Sequence, residues 1–76
     1  MITKDDIKPG FKFKTHHDSY VVDHVKNDYV YLRYLYTDYS RVFKWATVDN
    51  AVSSLNTDSY FQVISCIPNF KYVEEL

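Results

Sequence analysis

The chain has 76 residues, a formal net charge of −1 and one cysteine. This length predicts one domain with a marginal core, because so short a chain buries only about 60% of its unfolded surface. The single cysteine, Cys66, excludes an intramolecular disulfide and a cysteine-built zinc site. No apolar run approaches the roughly 18 residues of a membrane span, and the first residues do not form a signal peptide. We therefore expect a cytoplasmic protein without membrane contact.

Aromatic residues make up 18% of the chain, whereas glycine occurs once. Large rings bury much area per residue and favour strands, so this composition predicts a mainly β domain. Before the first strand, Thr3 and Asp6 have the spacing of a helix-capping pair, and Ile2 and Ile7 flank that turn. The dipeptide Pro9-Gly10 then turns the chain into the first strand.

Alternating apolar and polar residues predict five antiparallel strands, over residues 11–15, 20–25, 29–36, 41–46 and 60–65. Thr47 is expected to cap a helix between the fourth and fifth strands. The helical spacing of four residues predicts one apolar stripe on that helix, formed by Val48, Ala51, Val52 and Leu55.

The inward-facing residues predict how these strands pair. Val22 is expected opposite Phe13 in the first hairpin and, through a one-residue bulge at 23–24, opposite Leu32 in the second. A four-residue turn at 37–40 leads into the fourth strand. These pairings predict one core, formed by Phe13, Val22, Leu32, Tyr34, Phe43, Trp45 and Leu55.

Five short strands with one helix before the last resemble the small SH3-like β-barrels, over roughly residues 9–65. This resemblance implies a closed barrel and transfers no functional residue, because the acidic-aromatic signature of peptide-binding SH3 domains is absent. The size and composition also resemble the small accessory proteins of phages and mobile elements. Residues 66–76 are predicted to be a tail that packs on the barrel or is available to a partner.

Neither a metal site nor a catalytic site is expected. His16, His17 and His24 are the candidate metal ligands, but His24 is several strand residues away at about 3.3 Å each, and the two adjacent rings are expected to point apart. Cys66 lies in an apolar stretch and is expected to be buried and unreactive. Most aspartates fall at caps and turns, and a single glycine excludes a glycine-rich phosphate loop. We predict no enzyme and no cofactor.

The outer face of the second to fourth strands carries residues that are unfavourable on a sheet surface in contact with water. Arg33 is predicted directly opposite Lys44, a like-charge pair that destabilises a bare sheet, and apolar side chains lie beside them. Tyr and Arg are enriched at binding hot spots. The sequence therefore predicts a surface for an acidic or aromatic group of a partner, formed by Tyr31, Arg33, Leu35, Val42 and Lys44.

The tail offers a second interpretation of this face. Phe70, Tyr72 and Val73 alternate with polar residues and would cover the apolar side chains if the tail folded back. Glu74 and Glu75 would then neutralise the two cations. Both interpretations are compatible in a homodimer that exchanges tails.

Two functions fit these features. Near-neutral charge and many tyrosines favour a protein-interaction module, an inhibitor or adaptor, because Tyr gives large contact area at low entropy cost. The alternative is a small β-barrel that binds single-stranded nucleic acid, because most cations lie in residues 1–45 among aromatic residues. Steep salt dependence is expected only for the nucleic-acid binder.

Overall fold

The chain forms a five-stranded antiparallel sheet with one helix before the last strand. The computed structural model describes residues 1–73. After a 3₁₀ turn at Lys4–Asp6, the elements are β1 (Phe11–Lys14), β2 (Ser19–Lys26), β3 (Tyr29–Tyr34), β4 (Val42–Thr47), α1 (Val48–Thr57) and β5 (Gln62–Cys66). The strand order is β4-β3-β2-β1-β5, so β4 and β5 are the two edges. The predicted strands and helix are confirmed, whereas the pairing within residues 1–73 does not close the sheet into a barrel.

The N-terminal turn forms as predicted. The Thr3 amide donates to Asp6 Oδ2 at 2.9 Å, and Ile2 and Ile7 on either side are buried in the core. Gly10 then adopts a φ of +93°. A side chain there would be strained, which explains why the one glycine of the chain is at this turn.

The β2–β3 hairpin confirms the predicted bulge. Val22 lies opposite Leu32, and the register shifts by one residue between Val22 and His24. The two-residue turn is made by Asn27 and Asp28, both with positive φ. Asn and Asp tolerate this conformation, which matches the twist of a tight hairpin.

Two other predicted registers are wrong by two residues. In the first hairpin Phe13 lies opposite Tyr20, not Val22. The reason is a tight turn in which the Thr15 amide donates to the Asp18 carbonyl at 2.9 Å, while the Thr15 hydroxyl accepts the amide of His17 at 3.1 Å. Thr15 thereby leaves the strand, and β2 begins earlier than predicted.

In the third hairpin Leu32 lies opposite Phe43, and Lys44 lies opposite Tyr31. The predicted Arg33–Lys44 pair is therefore absent, and Val42 takes its place opposite Arg33. The register also shifts between Val30 and Tyr31, which leaves an extra residue in β4. β3 ends at Tyr34, so the connection to β4 is longer than the predicted turn.

The core lies between the inner face of the sheet, α1 and the N-terminal turn. Phe13, Val22, Leu32 and Leu55 are buried as predicted, and Phe43 and Trp45 pack against them while partly exposed. Tyr34 is half-buried, with its ring centroid 5.4 Å from that of Tyr20 and 5.1 Å from that of Phe43. The other buried members are Ile2, Ile7, Phe11, Val30 and Ala51.

α1 follows its predicted pattern. The Thr47 hydroxyl accepts the amide of Asn50 at 3.2 Å, which caps the first turn. Ala51 and Leu55 are buried, and Val48 and Val52 pack beside them. The helix therefore covers one end of the sheet with its apolar stripe.

β5 starts two residues later than predicted and pairs with β1, with one bulge in the pairing. All five of its residues are exposed. Cys66 is among them, so the prediction of a buried cysteine is wrong. Its apolar neighbours misled the sequence analysis, because an edge strand can leave β-branched side chains in solvent. No helix within residues 1–73 is long and apolar enough to cross a membrane.

Candidate functional site

Arg33, the predicted centre of the partner surface, is only 7% exposed. Its Nε donates to Asp23 Oδ1 at 2.6 Å, and its Nη1 donates to the carbonyls of Tyr39 at 3.0 Å and Ser40 at 2.9 Å. These bonds tie the β3–β4 connection to the sheet. The Nε and Nη1 groups of Arg33 are thus bonded to protein atoms, and the guanidinium holds the structure together.

Asp23 links this buried cation to a histidine. Its other oxygen, Oδ2, lies 2.6 Å from Nδ1 of His24. Burial by itself would raise the pKa of Asp23, but the hydrogen bonds from Arg33 and His24 outweigh it and hold the pKa below its ordinary value of 3.8. Asp23 is therefore a carboxylate at neutral pH, and its charge is compensated by Arg33.

The C-terminal segment, residues 67–73, lies over Arg33. The Tyr72 ring centroid is 3.7 Å from Arg33 Cζ, which is a cation–π contact, and the Tyr39 ring meets Tyr72 edge-on at 5.6 Å. Val21, opposite Arg33 on the sheet, is fully buried although it is not part of the main core. The predicted pairing of Arg33 with Glu74 or Glu75 lies outside the described residues.

The C-terminal segment is also attached to the turn before β1. The Ile67 amide donates to the Gly10 carbonyl at 2.9 Å. A Cβ on Gly10 would lie 2.0 Å from the Ile67 carbonyl oxygen and 2.8 Å from Phe70 Cβ. The backbone of residue 67 can come this close only because residue 10 has no side chain.

One end of the outer face, away from Arg33 and Tyr72, is partly exposed. His24, Tyr31 and Lys44 lie in a row across β2, β3 and β4, because Tyr31 is opposite both of the others. The rings of His24 and Tyr31 are nearly parallel, with centroids 4.3 Å apart and planes at 10°. The Lys44 ammonium lies 4.2 Å from the centroid of the Tyr29 ring. We call His24, Tyr29, Tyr31 and Lys44 the aromatic–basic patch.

The five predicted site residues therefore do not form one exposed surface. Tyr31 and Lys44 belong to the patch, and Val42 is exposed opposite Arg33. Leu35 is half-buried beyond the end of β3, with its amide bonded to the Ser19 carbonyl at 2.9 Å. Sequence reasoning did not place His24 or Tyr29 in the surface, although the predicted bulge already put His24 beside β3.

The remaining histidines lie at the other end of the sheet. His16 Nδ1 is 2.6 Å from Asp58 Oδ2, and the rings of His16 and His17 are 3.7 Å apart between centroids. The prediction that these two rings point apart is therefore wrong. Within the described part of the chain no three His, Cys, Asp or Glu side chains form a set of metal ligands.

No family model, curated protein or solved structure matches this chain. Its function is therefore inferred from its own side chains. Among these, the aromatic–basic patch brings the exposed ring of Tyr29, two half-buried rings and an exposed cation together on a sheet, which is the composition of a recognition surface.

Proposed function

We propose that the chain is a non-enzymatic protein-interaction module, an inhibitor or adaptor, that binds its partner with the aromatic–basic patch. The observation that carries this proposal is the row of His24, Tyr31 and Lys44 across three hydrogen-bonded strands, with Tyr29 against Lys44. Strands hold these side chains more rigidly than a loop would, so little conformational entropy is lost on binding.

The charges around the patch favour an acidic partner. Lys44 is exposed, and Asp23, the nearest carboxylate bonded to the patch, is already compensated by Arg33. An Asp or Glu of the partner would pair with Lys44, and an aromatic or aliphatic neighbour would pack on Tyr31 and Tyr29. The binding energy would come mainly from the ring contacts, because an exposed ion pair contributes only about 0–1 kcal/mol.

Single-stranded nucleic acid is the second candidate, and the parallel rings of His24 and Tyr31 favour it. A base would stack on such a platform and its phosphate would contact Lys44. The overall charge of −1 and the burial of Arg33 make this candidate weaker, since phosphate binding needs several exposed cations.

We further propose that the fold is a variant of the small SH3-like barrel. The strand order β4-β3-β2-β1-β5, in which the last strand pairs with the first, and the helix between β4 and β5 support this likeness. The proposal includes the approach of β4 and β5, the two edge strands, to complete a barrel.

Two charge reversals test the proposed binding surface. The immobilised chain, Lys44→Glu and Lys14→Glu are each used to capture proteins from lysate of the source cells, with and without nuclease. Lys14 is an exposed lysine on β1 outside the patch, so its reversal changes the net charge equally. We expect one protein to be captured by the wild type and Lys14→Glu, to survive nuclease, and to be lost with Lys44→Glu.

Two outcomes would contradict the proposal. If Lys44→Glu captures as much as the wild type, the patch is not the binding surface. If the captured material disappears after nuclease and its binding falls steeply with salt, the chain binds nucleic acid instead.

A further inference from the structure

A second site lies near the β1–β2 turn, on the inner face of the sheet and not on the outer face that carries the aromatic–basic patch. A cavity of about 340 Å³ opens there between the β1–β2 turn, the inner faces of β2 and β4, and the end of α1. This volume is at the lower end of the range for small-molecule sites, about 300–1,000 Å³. We call it the end pocket.

Aromatic rings form much of its wall. Tyr20 and Trp45 both line the end pocket, and both pack on the fully buried ring of Phe13, with centroid distances of 5.6 and 6.0 Å. His17 lines the cavity from the turn, and Leu55 from the helix. Tyr and Trp rings carry partial negative charge on their faces and attract cations.

The end pocket contains one carboxylate. Asp58 is its one acidic residue, and neither Lys nor Arg is among the residues that line it. A hydrogen bond from His16 is the main reason that the pKa of Asp58 is lowered from its ordinary value of 3.8, so the carboxylate is charged at neutral pH. Anionic ligands such as phosphates are therefore disfavoured.

Asp58 has little capacity left for further hydrogen bonds. Its Oδ2 accepts the His16 amide at 3.3 Å and lies 2.6 Å from the His16 ring nitrogen, and its Oδ1 accepts the Tyr60 amide at 2.8 Å. A primary ammonium brings three N–H donors that need acceptors when they lose water. A methylated ammonium has no such need, and it gains from the ring faces and from the charge of Asp58.

We propose that the end pocket binds a methylated ammonium cation between the rings of Tyr20 and Trp45 and beside the carboxylate of Asp58. The cation could belong to a free metabolite of the choline type or to a trimethylated lysine side chain of a protein. Its chemistry is the same in both cases. The site is independent of the aromatic–basic patch, and it holds whether or not that patch binds a protein.

Trp45 provides the measurement, because it is the one tryptophan of the chain and lines the end pocket. Its fluorescence is followed during titration with choline chloride at constant ionic strength. The control ligand is 3,3-dimethylbutanol, which has the shape of choline without its charge. We expect a saturable change with choline, with a dissociation constant on the order of 1 mM, and at least tenfold weaker binding of the neutral compound.

Variants locate the binding. Asp58→Asn removes the charge and is expected to weaken choline binding about tenfold, while Asp49→Asn, the same change at the exposed start of α1, leaves it unchanged. Tyr20→Leu is expected to weaken it as well. Because Asp58 also holds the β1–β2 turn, the melting temperature of each variant is measured, and only variants folded at the titration temperature are compared.

A second pair of ligands distinguishes the two sources of the cation. A short neutral peptide with one trimethyl-lysine is compared with the same peptide carrying unmodified lysine. Tighter binding of the methylated peptide than of choline identifies a modified protein as the source, and the reverse identifies a free metabolite. Equal binding of choline and 3,3-dimethylbutanol, or absence of saturation with choline, would overturn the proposal.

Discussion

Reversing the charge of Arg33 should strongly destabilise the protein, whereas the same reversal at Lys44 should not. The Arg33 side chain is 9% exposed and Asp23, its ion-pair partner, is 17% exposed. Removing one member of such a buried pair costs about 3–5 kcal/mol, because the remaining charge is left without compensation. Loss of the contact with Tyr72 adds about 1 kcal/mol.

This loss is as large as the stability of many small domains. A chain of 76 residues has a free energy of unfolding of about 4–11 kcal/mol, so a loss of about 4–6 kcal/mol removes from roughly a third of it to all of it. Lys44 is exposed, and its contacts are worth about 1 kcal/mol or less. Arg33→Glu and Lys44→Glu change the net charge equally, so the difference in their stabilities reports the burial and pairing of Arg33.

Urea denaturation followed by the fluorescence of Trp45 measures both variants. With a slope of about 1 kcal/mol per molar urea, the midpoint of Arg33→Glu should fall by several molar or disappear. The double variant Arg33→Met/Asp23→Asn removes both charges and should recover part of the stability. Equal midpoints for Arg33→Glu and Lys44→Glu would refute the burial and pairing of Arg33.

Three further predictions concern the core, the glycine turn and acid stability. Trp45→Ala should cost about 3 kcal/mol and lower the melting temperature by roughly 15 °C, and a change below a few degrees would contradict its place against the core. Gly10→Ala should cost about 2 kcal/mol or more, because its methyl group would meet the Ile67 carbonyl at 2.0 Å with φ at +93°; an unchanged thermal melt followed by circular dichroism would contradict this contact. The pKa of Asp23 is lower in the folded state than the 3.8 of the free side chain, so its contribution is intact above about pH 4 and is lost as the pH falls through the folded-state pKa. The free energy of unfolding, measured as a function of pH, should fall less steeply below about pH 4 in Asp23→Asn than in the wild type. An unchanged fall would mean that other carboxylates cause the acid unfolding.

Local patterns were enough to predict the elements of the fold. The bulge after Val22 was predicted because this residue has to face inward in two hairpins at once. The helix was predicted from its N-cap residue, Thr47, and its stripe of apolar residues. These features depend on neighbours in the sequence or on a single strand pairing. The alternation of apolar residues records such requirements directly.

The two wrong registers depend on side-chain bonds that no alternation records. The Thr15 hydroxyl shortens β1 by accepting backbone amides, and Arg33 lengthens the β3–β4 connection by bonding the carbonyls of Tyr39 and Ser40. A shift of two residues preserves which face each side chain occupies, so periodicity cannot detect it. The predicted surface therefore kept the right face, although Arg33 was wrongly taken as its exposed centre.

The cover provided by residues 67–73 sets an order of events during synthesis. Gly10 and Arg33 leave the ribosome well before Phe70 and Tyr72, the residues that lie on them in the finished fold. Until the C-terminal segment emerges, the guanidinium of Arg33 lacks the Tyr72 ring that lies over it, and the Gly10 carbonyl lacks its hydrogen bond from the Ile67 amide. A chain interrupted before residue 67 would lack these contacts and would be more accessible to cellular proteases, which degrade loosely folded proteins. Residues 67–73 thus complete contacts of the sheet that residues made much earlier cannot complete by themselves.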